Sequence, residues 1–149
     1  MSNGRTLPPM YLFTSLAAMV LMNLFIPVQQ LIIYPWNATG IIPLLLGMAL
    51  NLSADRAFKR NATTVKPFEI SKVLITSGTF KYTRNPMYLG MTLILTGAAL
   101  LLGTLSPFII IPLFAIAMDR IFIVAEEKML DQRFGDEWRH YKTNVRRWI

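Results

Sequence analysis

Two long stretches of this chain carry no charged side chain. Residues 6–54 and residues 85–118 contain no Asp, Glu, Lys or Arg. A helix needs about 20 apolar residues to cross a hydrocarbon core of about 30 Å, and both stretches exceed that. The remaining composition agrees: hydrophobic residues make up 54% and charged residues 15% of the 149, with a mean hydropathy of +0.44. A soluble domain carries about 25% charged residues. The sequence therefore predicts an all-α integral membrane protein in a single domain, residues 1–149.

Punctuation divides the apolar runs into about four transmembrane helices. The first span is expected over about 7–33, with Pro8 and Pro9 in its first turn and Pro27 able to kink or end it. The second is expected over about 41–56. As one helix the 34 charge-free residues after Arg84 would be about 51 Å long, too long for the core. Gly103 and Pro107 break that run, giving spans over about 86–102 and 107–124. Gly90, Gly97, Ala98 and Gly103 suit close helix packing in a membrane, and such small-residue faces leave room for a homodimer.

The basic residues set the orientation. All 15 Lys and Arg lie at Arg5, within residues 55–84 or from Arg120 onward, and the turns at 34–39 and 103–107 have none. The positive-inside rule then places both termini in the cytoplasm, in what reads as a bacterial inner membrane. A cytoplasmic loop over 58–85 and a tail over 125–149, containing an amphipathic C-terminal helix with Gly135 as its stop, fall on the same side. No cleavable signal peptide is expected, because the first apolar run is too long for an h-region and no small-residue cleavage site follows it. The net charge of +7 fits topology and anionic headgroups without invoking nucleic acid. The absence of cysteine removes disulfides and thiolate chemistry, and the single His140 cannot form a histidine metal cluster.

Two polar clusters face the expected cytoplasmic side. One is KYTRNPMYLG, residues 81–90. The other is DRIFIVAEEKML, residues 119–130. If the last two spans form a hairpin, Arg84, Asn85 and Tyr88 lie near Arg120, Glu126 and Glu127. Paired glutamates running straight off an apolar helix are expensive near hydrocarbon without partners, and Arg84 and Arg120 are the expected partners. Read singly, these residues are also ordinary: Lys81 and Arg84 as anchors, Tyr82 and Tyr88 as belt aromatics, the glutamates as an internal ion-pair lock.

SGTFKYTRNPMYLG, residues 77–90, resembles the glycine–aromatic–x–x–x–Arg–His/Asn–Pro–x–Tyr–x–Gly signature of the isoprenylcysteine carboxyl methyltransferase and phospholipid methyltransferase superfamily. RIFIVAEEKMLDQRFGDEWRHYKTNVRRWI, residues 120–149, resembles the second half of the same pattern, and TTVKPFEISKVLITSG, residues 63–78, fits the loop before it in small bacterial members. The likeness covers about residues 63–149. The first 60 residues match only as hydrophobic spans.

That resemblance implies methyl transfer from S-adenosylmethionine to a lipid or lipid-modified acceptor, with the cofactor held by cytoplasmic loops. The implied cofactor-binding residues are Gly78, Phe80, Tyr82, Arg84, Asn85, Tyr88, Glu126, Glu127 and Tyr141. Carboxylates suit the cofactor's ammonium, arginine suits its carboxylate, and the aromatics suit its adenine and sulfonium. Arg84, Asn85 and Glu127 are the implied catalytic residues, with Glu127 as base or ammonium binder. Asn85 stands where the carboxyl methyltransferases often have His. An amide cannot titrate, so no general base is expected at 85, which leans toward the phospholipid-type or bacterial branch. Pro86 is expected to open the third helix and to hold Asn85 extended.

The tail reads as an amphipathic helix on the bilayer or as a lid using Arg133, Arg139 or Tyr141. Trp148 with Arg146 and Arg147 reads as an interface anchor, and His140 as a surface residue. The alternatives are a non-catalytic lipid-binding protein with this fold and a reductase-like relative using a nicotinamide cofactor.

Overall fold

The computed structural model describes residues 7–63, 69 and 71–149; the rest of the expected 58–85 loop lies outside the described residues. The described chain is helical, with no strand among those residues. Helix α1 spans Pro8–Phe25, α2 Ile41–Arg60, α3 Pro86–Leu102, α4 Ile110–Met118, α5 Val124–Phe134 and α6 Asp136–Asn144. Short 3₁₀ turns lead into α2 (Trp36–Gly40), α3 (Gly78–Lys81) and α4 (Ser106–Ile109). Three helical segments are long and apolar enough to cross a membrane: Pro8–Phe25, Trp36–Arg60 and Ser106–Phe134. α3 is shorter, at 17 residues.

α3 is the centre of the bundle. Its buried residues include Pro86, Tyr88, Gly90, Met91, Leu95, Gly97 and Ala99. Met91, Leu95 and Ala99 join Met19 of α1 and Phe114, Met118 and Phe122 of the last helix in one core cluster. On the outside, Phe13, Leu24, Phe25, Leu45 and Leu46 are exposed, an apolar exterior suited to a bilayer.

α2 and α3 run antiparallel in backbone contact. A Cβ on Gly40 would sit 2.5 Å from the Gly97 carbonyl oxygen, one on Gly90 would sit 2.7 Å from the Gly47 carbonyl oxygen, and one on Gly47 would run into the carbonyl of Gly90. Two rungs seven residues apart on each helix therefore fix the crossing, as small residues do in membranes. These glycines are used inside the chain, so they no longer argue for a homodimer. The antiparallel register also carries α2's last turn past the start of α3, where Phe58 packs against Phe80 of the 3₁₀ turn before it.

The first helix is shorter than the expected span over 7–33. It stops at Phe25, and Ile26 has already left helical dihedrals at φ −137° and ψ 56°. Pro27 disfavours helix at Ile26 and cannot donate to the ladder. The following residues instead pair with the turn after α3: Leu31 and Ile32 N–H donate to the Gly103 carbonyl at 2.8 and 3.0 Å, and Leu105 N–H donates to Gln29 at 2.8 Å. Gly103 takes φ +75°, and a Cβ there would collide with the Ile32 carbonyl.

The last helix is longer than the expected 107–124. α4 and α5 are one rod of 29 residues, Ser106–Phe134, joined by a single π turn at Asp119–Ile123. The glutamate pair is therefore carried on the same rod as the apolar run. The separate tail begins only at Gly135 (φ +51°).

Gly47→Ala should lower the unfolding free energy by about 1–3 kcal/mol, as overpacking of a tight contact does. Thermal unfolding in detergent checks this, and an unchanged midpoint would contradict the backbone contact.

Candidate functional site

The site is built where the turn 83–85 meets the rod and the C-terminal tail. Pro86 occupies the first turn of α3 and Asn85 precedes it at φ −128° and ψ 59°, outside the helix but short of the extended conformation expected before proline. Thr83 Oγ1 accepts from Asn85 N–H at 3.1 Å. The Asn85 amide Nδ2 then donates to the Arg147 carbonyl at 3.0 Å.

Arg84 enters the interior. Its side chain is 7% exposed, and Nη2 lies 3.0 Å from Glu127 Oε1. Nη1 donates to the Lys142 carbonyl at 3.1 Å, and the guanidinium carbon lies 5.7 Å from the centre of the Trp138 ring. The backbone N–H of Arg84 donates to the Arg146 carbonyl at 3.0 Å. Nε is buried and has no hydrogen-bond partner among the described residues, so this donor is not used within them.

Glu127 is buried as well. Besides Arg84 it accepts from Arg147 through both oxygens, Nε to Oε1 at 3.1 Å and Nη2 to Oε2 at 2.6 Å. Arg147 Nη1 also reaches Asp119 Oδ1 at 3.0 Å. Two arginines and two carboxylates thus form a neutral network where the charge-free part of the rod ends. The hydrogen bond to Glu127 is the main reason that Arg147 holds its proton above the ordinary guanidinium range. The π turn is what allows Asp119 and Glu127 to share one partner. In an unbroken α-helix, residues eight apart point about 80° away from each other, and one extra residue taken up in a π turn reduces that to about 20°.

The sequence placed Arg120 in this network, but Arg120 is exposed and Arg147 takes that role. The reason is the tail. Residues 145–149 fold back under the 83–85 turn, and Trp148 packs against the core cluster. Arg147 and Trp148 therefore turn inward and are half-buried, where the sequence suggested an interface anchor.

The neighbouring Glu126 is bound differently. Its Oε1 accepts from the Tyr88 hydroxyl at 2.8 Å, and the Tyr88 ring stacks on Phe122 with centroids 6.1 Å apart. Tyr141 donates to the Phe80 carbonyl at 2.6 Å. Burial pushes its phenol up to about 12, against a smaller lowering by Arg84. Phe80 in turn meets Phe58 of α2 edge-on, centroids 5.6 Å apart.

These groups line a cavity of about 320 Å³ between the start of α1, residues 71–75, the start of α3, α5 and α6. Of the residues expected from sequence, Phe80, Arg84, Asn85, Tyr88, Glu126, Glu127 and Tyr141 line it. Gly78 and Tyr82 do not; Tyr82 is 81% exposed, because the 3₁₀ turn Gly78–Lys81 rotates it outward while turning Phe80 in. Arg133 lines the cavity, whereas Arg139 stays on the surface with Asp131 and Asp136 at 3.1 and 3.0 Å. His140 is exposed, as expected. Sequence reasoning missed Trp138, Thr83, Asp119 and Arg147 as parts of the site. Trp138 was visible only as an apolar position, and nothing in the sequence signalled the π turn.

The phospholipid methyltransferase family profile matches residues 36–137. An uncharacterised protein of Haemophilus influenzae is 40% identical over 63 residues, which is 42% of this chain and all of that protein. The protein-S-isoprenylcysteine O-methyltransferase of Schizosaccharomyces pombe is 30% identical over 118 residues, covering 76% of this chain and 48% of that enzyme. The chain thus spans about half the length of the yeast relative. With the apolar bundle, these matches define an integral membrane protein of the methyltransferase class. The chain belongs to the phospholipid methyltransferase family, whose profile covers more than half of it.

Glu127→Ala should destabilise the fold by about 3–5 kcal/mol, because it leaves the buried Arg84 guanidinium without its carboxylate partner and takes from the half-buried Arg147 its main one. Denaturant unfolding in micelles checks this; a loss below about 1 kcal/mol would show that the network is not structural.

Proposed function

We propose that this protein transfers a methyl group from S-adenosylmethionine to a lipid or lipid-modified acceptor at the cytoplasmic face of the membrane. The observation that carries this reading is one cavity wall that brings together the Arg84 guanidinium, the Glu126–Tyr88 pair and the aromatic rings of Phe80, Trp138 and Tyr141.

The residues fit the group. The amino-acid end of the cofactor needs one anion donor and one cation acceptor. Arg84 has a buried Nε with no partner among the described residues and suits the carboxylate. Glu126 is bound to a phenol rather than to an arginine and suits the ammonium. The aromatic wall suits adenine and a sulfonium cation. A volume of about 320 Å³ lies within the range of about 300–1,000 Å³ usual for small-molecule sites. When bound, S-adenosylmethionine supplies an electrophilic methyl group on a positively charged sulfur.

The chain's own residues then have distinct tasks. Glu127, with both oxygens on arginines, holds Arg84 in place rather than acting as a base. Asn85 orients through its amide and cannot titrate. Leu7, Pro9, Met129 and Leu130 give the cavity an apolar side, the side by which a lipid-borne acceptor enters from between the helices. In-line transfer needs alignment and exclusion of water, and no covalent enzyme intermediate. A carboxylate acceptor needs no base, whereas an ammonium acceptor must first lose a proton. The cytoplasmic assignment rests on the basic residues that the antiparallel helices gather at this end of the bundle.

The ion pairs of Glu127 are complete without a ligand, which also suits a non-catalytic lipid-binding protein; cofactor saturation separates the two. Glu126→Gln should weaken S-adenosylmethionine binding at least about tenfold, because a hydrogen bond to a charged group is worth about 1.5–3 kcal/mol. Calorimetric titration of the purified protein measures it, and unchanged affinity would remove Glu126 from the site.

A further inference from the structure

The described residues of the C-terminal tail make more contacts with the 83–85 turn than a surface segment would need. The carbonyls of Lys142, Arg146 and Arg147 accept from Arg84 Nη1, Arg84 N–H and Asn85 Nδ2 at 3.1, 3.0 and 3.0 Å, and Thr83 Oγ1 donates to the Arg147 carbonyl at 3.2 Å. The Arg147 side chain meanwhile holds the opposite wall through Glu127 and Asp119. One residue therefore grips the turn with its backbone and the rod with its guanidinium.

We infer that Arg147 is a positioning residue for the cofactor site. It acts through Glu127 to fix the direction in which Arg84 lies across Trp138. The argument concerns how the two oxygens of Glu127 are divided. Arg147 contacts Oε2 and shares Oε1, and Arg84 makes its single contact at Oε1. That keeps the rest of its guanidinium on the Lys142 carbonyl and over the indole. With Arg147 gone, both carboxylate oxygens become open to Arg84, and the two-pronged pairing that arginine favours would draw it away from Trp138. A lysine at 147 offers a point charge without the planar fork, so it keeps the charge and loses the division. Asp119 completes the device by anchoring the far nitrogen of Arg147, which the π turn makes possible.

This inference rests on the reading of the cavity as a cofactor site, and its test has an arm independent of that reading. In the full chain with Trp36→Phe and Trp148→Phe, Trp138 is the remaining indole. Arg147→Lys and the milder Asp119→Asn are then compared with that background for Trp138 emission without cofactor, for thermal midpoint and for S-adenosylmethionine affinity. The expected result is a shift in Trp138 emission and about tenfold weaker cofactor binding in Arg147→Lys, with a smaller change of the same sign in Asp119→Asn. A fall in midpoint with unchanged emission and affinity in both variants would overturn the inference and leave Arg147 purely structural. If the unsubstituted protein does not bind S-adenosylmethionine at all, the cofactor reading fails, while the emission arm still decides whether Arg147 orients Arg84.

Discussion

The arrangement depends on one buried carboxylate. Glu127 has lost nearly all its water, and an isolated ion in that position would cost several kcal/mol. Two guanidiniums offset the loss. Because Arg84 comes from the turn before α3 and Arg147 from the tail, the requirement to satisfy one charge ties three separate segments together. The pairing is neutral as a unit once Asp119 is included, which is what permits four charged groups at the end of an apolar bundle. Its specificity is geometric: the guanidinium forks meet oxygens at 2.6–3.1 Å.

The apolar part of the molecule brings the partners within reach. The glycine rungs between α2 and α3 fix where α3 begins relative to α2, and the core around Leu95, Phe114 and Met118 fixes α3 against the last helix. The π turn then corrects the phase of the rod by one residue, so that Asp119 and Glu127 face the same arginine. Such turns occur often at functional positions. Here the physical role is plain, since without it the two carboxylates would point in different directions.

Much of this was legible in the sequence, for reasons of patterning. Charge-free runs marked the apolar helices, and Gly103 and Pro107 marked the break between the last two. The small residues of α3 marked the close crossing. The hairpin logic placed Arg84, Asn85 and Tyr88 beside Glu126 and Glu127, and all five line the cavity. What was not legible lay in phase and in long-range contact. The outward turn of Tyr82 follows from a single 3₁₀ turn. The replacement of Arg120 by Arg147 follows from a tail that folds inward, and composition alone makes such a basic, aromatic end look like a surface anchor. The early end of α1 was signalled by Pro27, but the pairing of residues 29–32 with the turn at 103–105 carried no local signal.

These features frame a pocket with the Arg84 guanidinium, the Glu126–Tyr88 pair and the rings of Phe80, Trp138 and Tyr141, beside an apolar opening. A membrane location suits an acceptor that is itself dissolved in the bilayer, so that its reactive head reaches the polar end of the bundle while its chain remains among the helices. The most direct measurement is incubation of the purified protein with S-adenosylmethionine labelled in the methyl group and a lipid extract of the host, followed by separation of the lipids. The account predicts labelled lipid that depends on the protein and disappears when Arg84 is replaced by Ala. Lipid that co-purifies with the protein but never acquires label, from a protein that does not bind the cofactor, would contradict it.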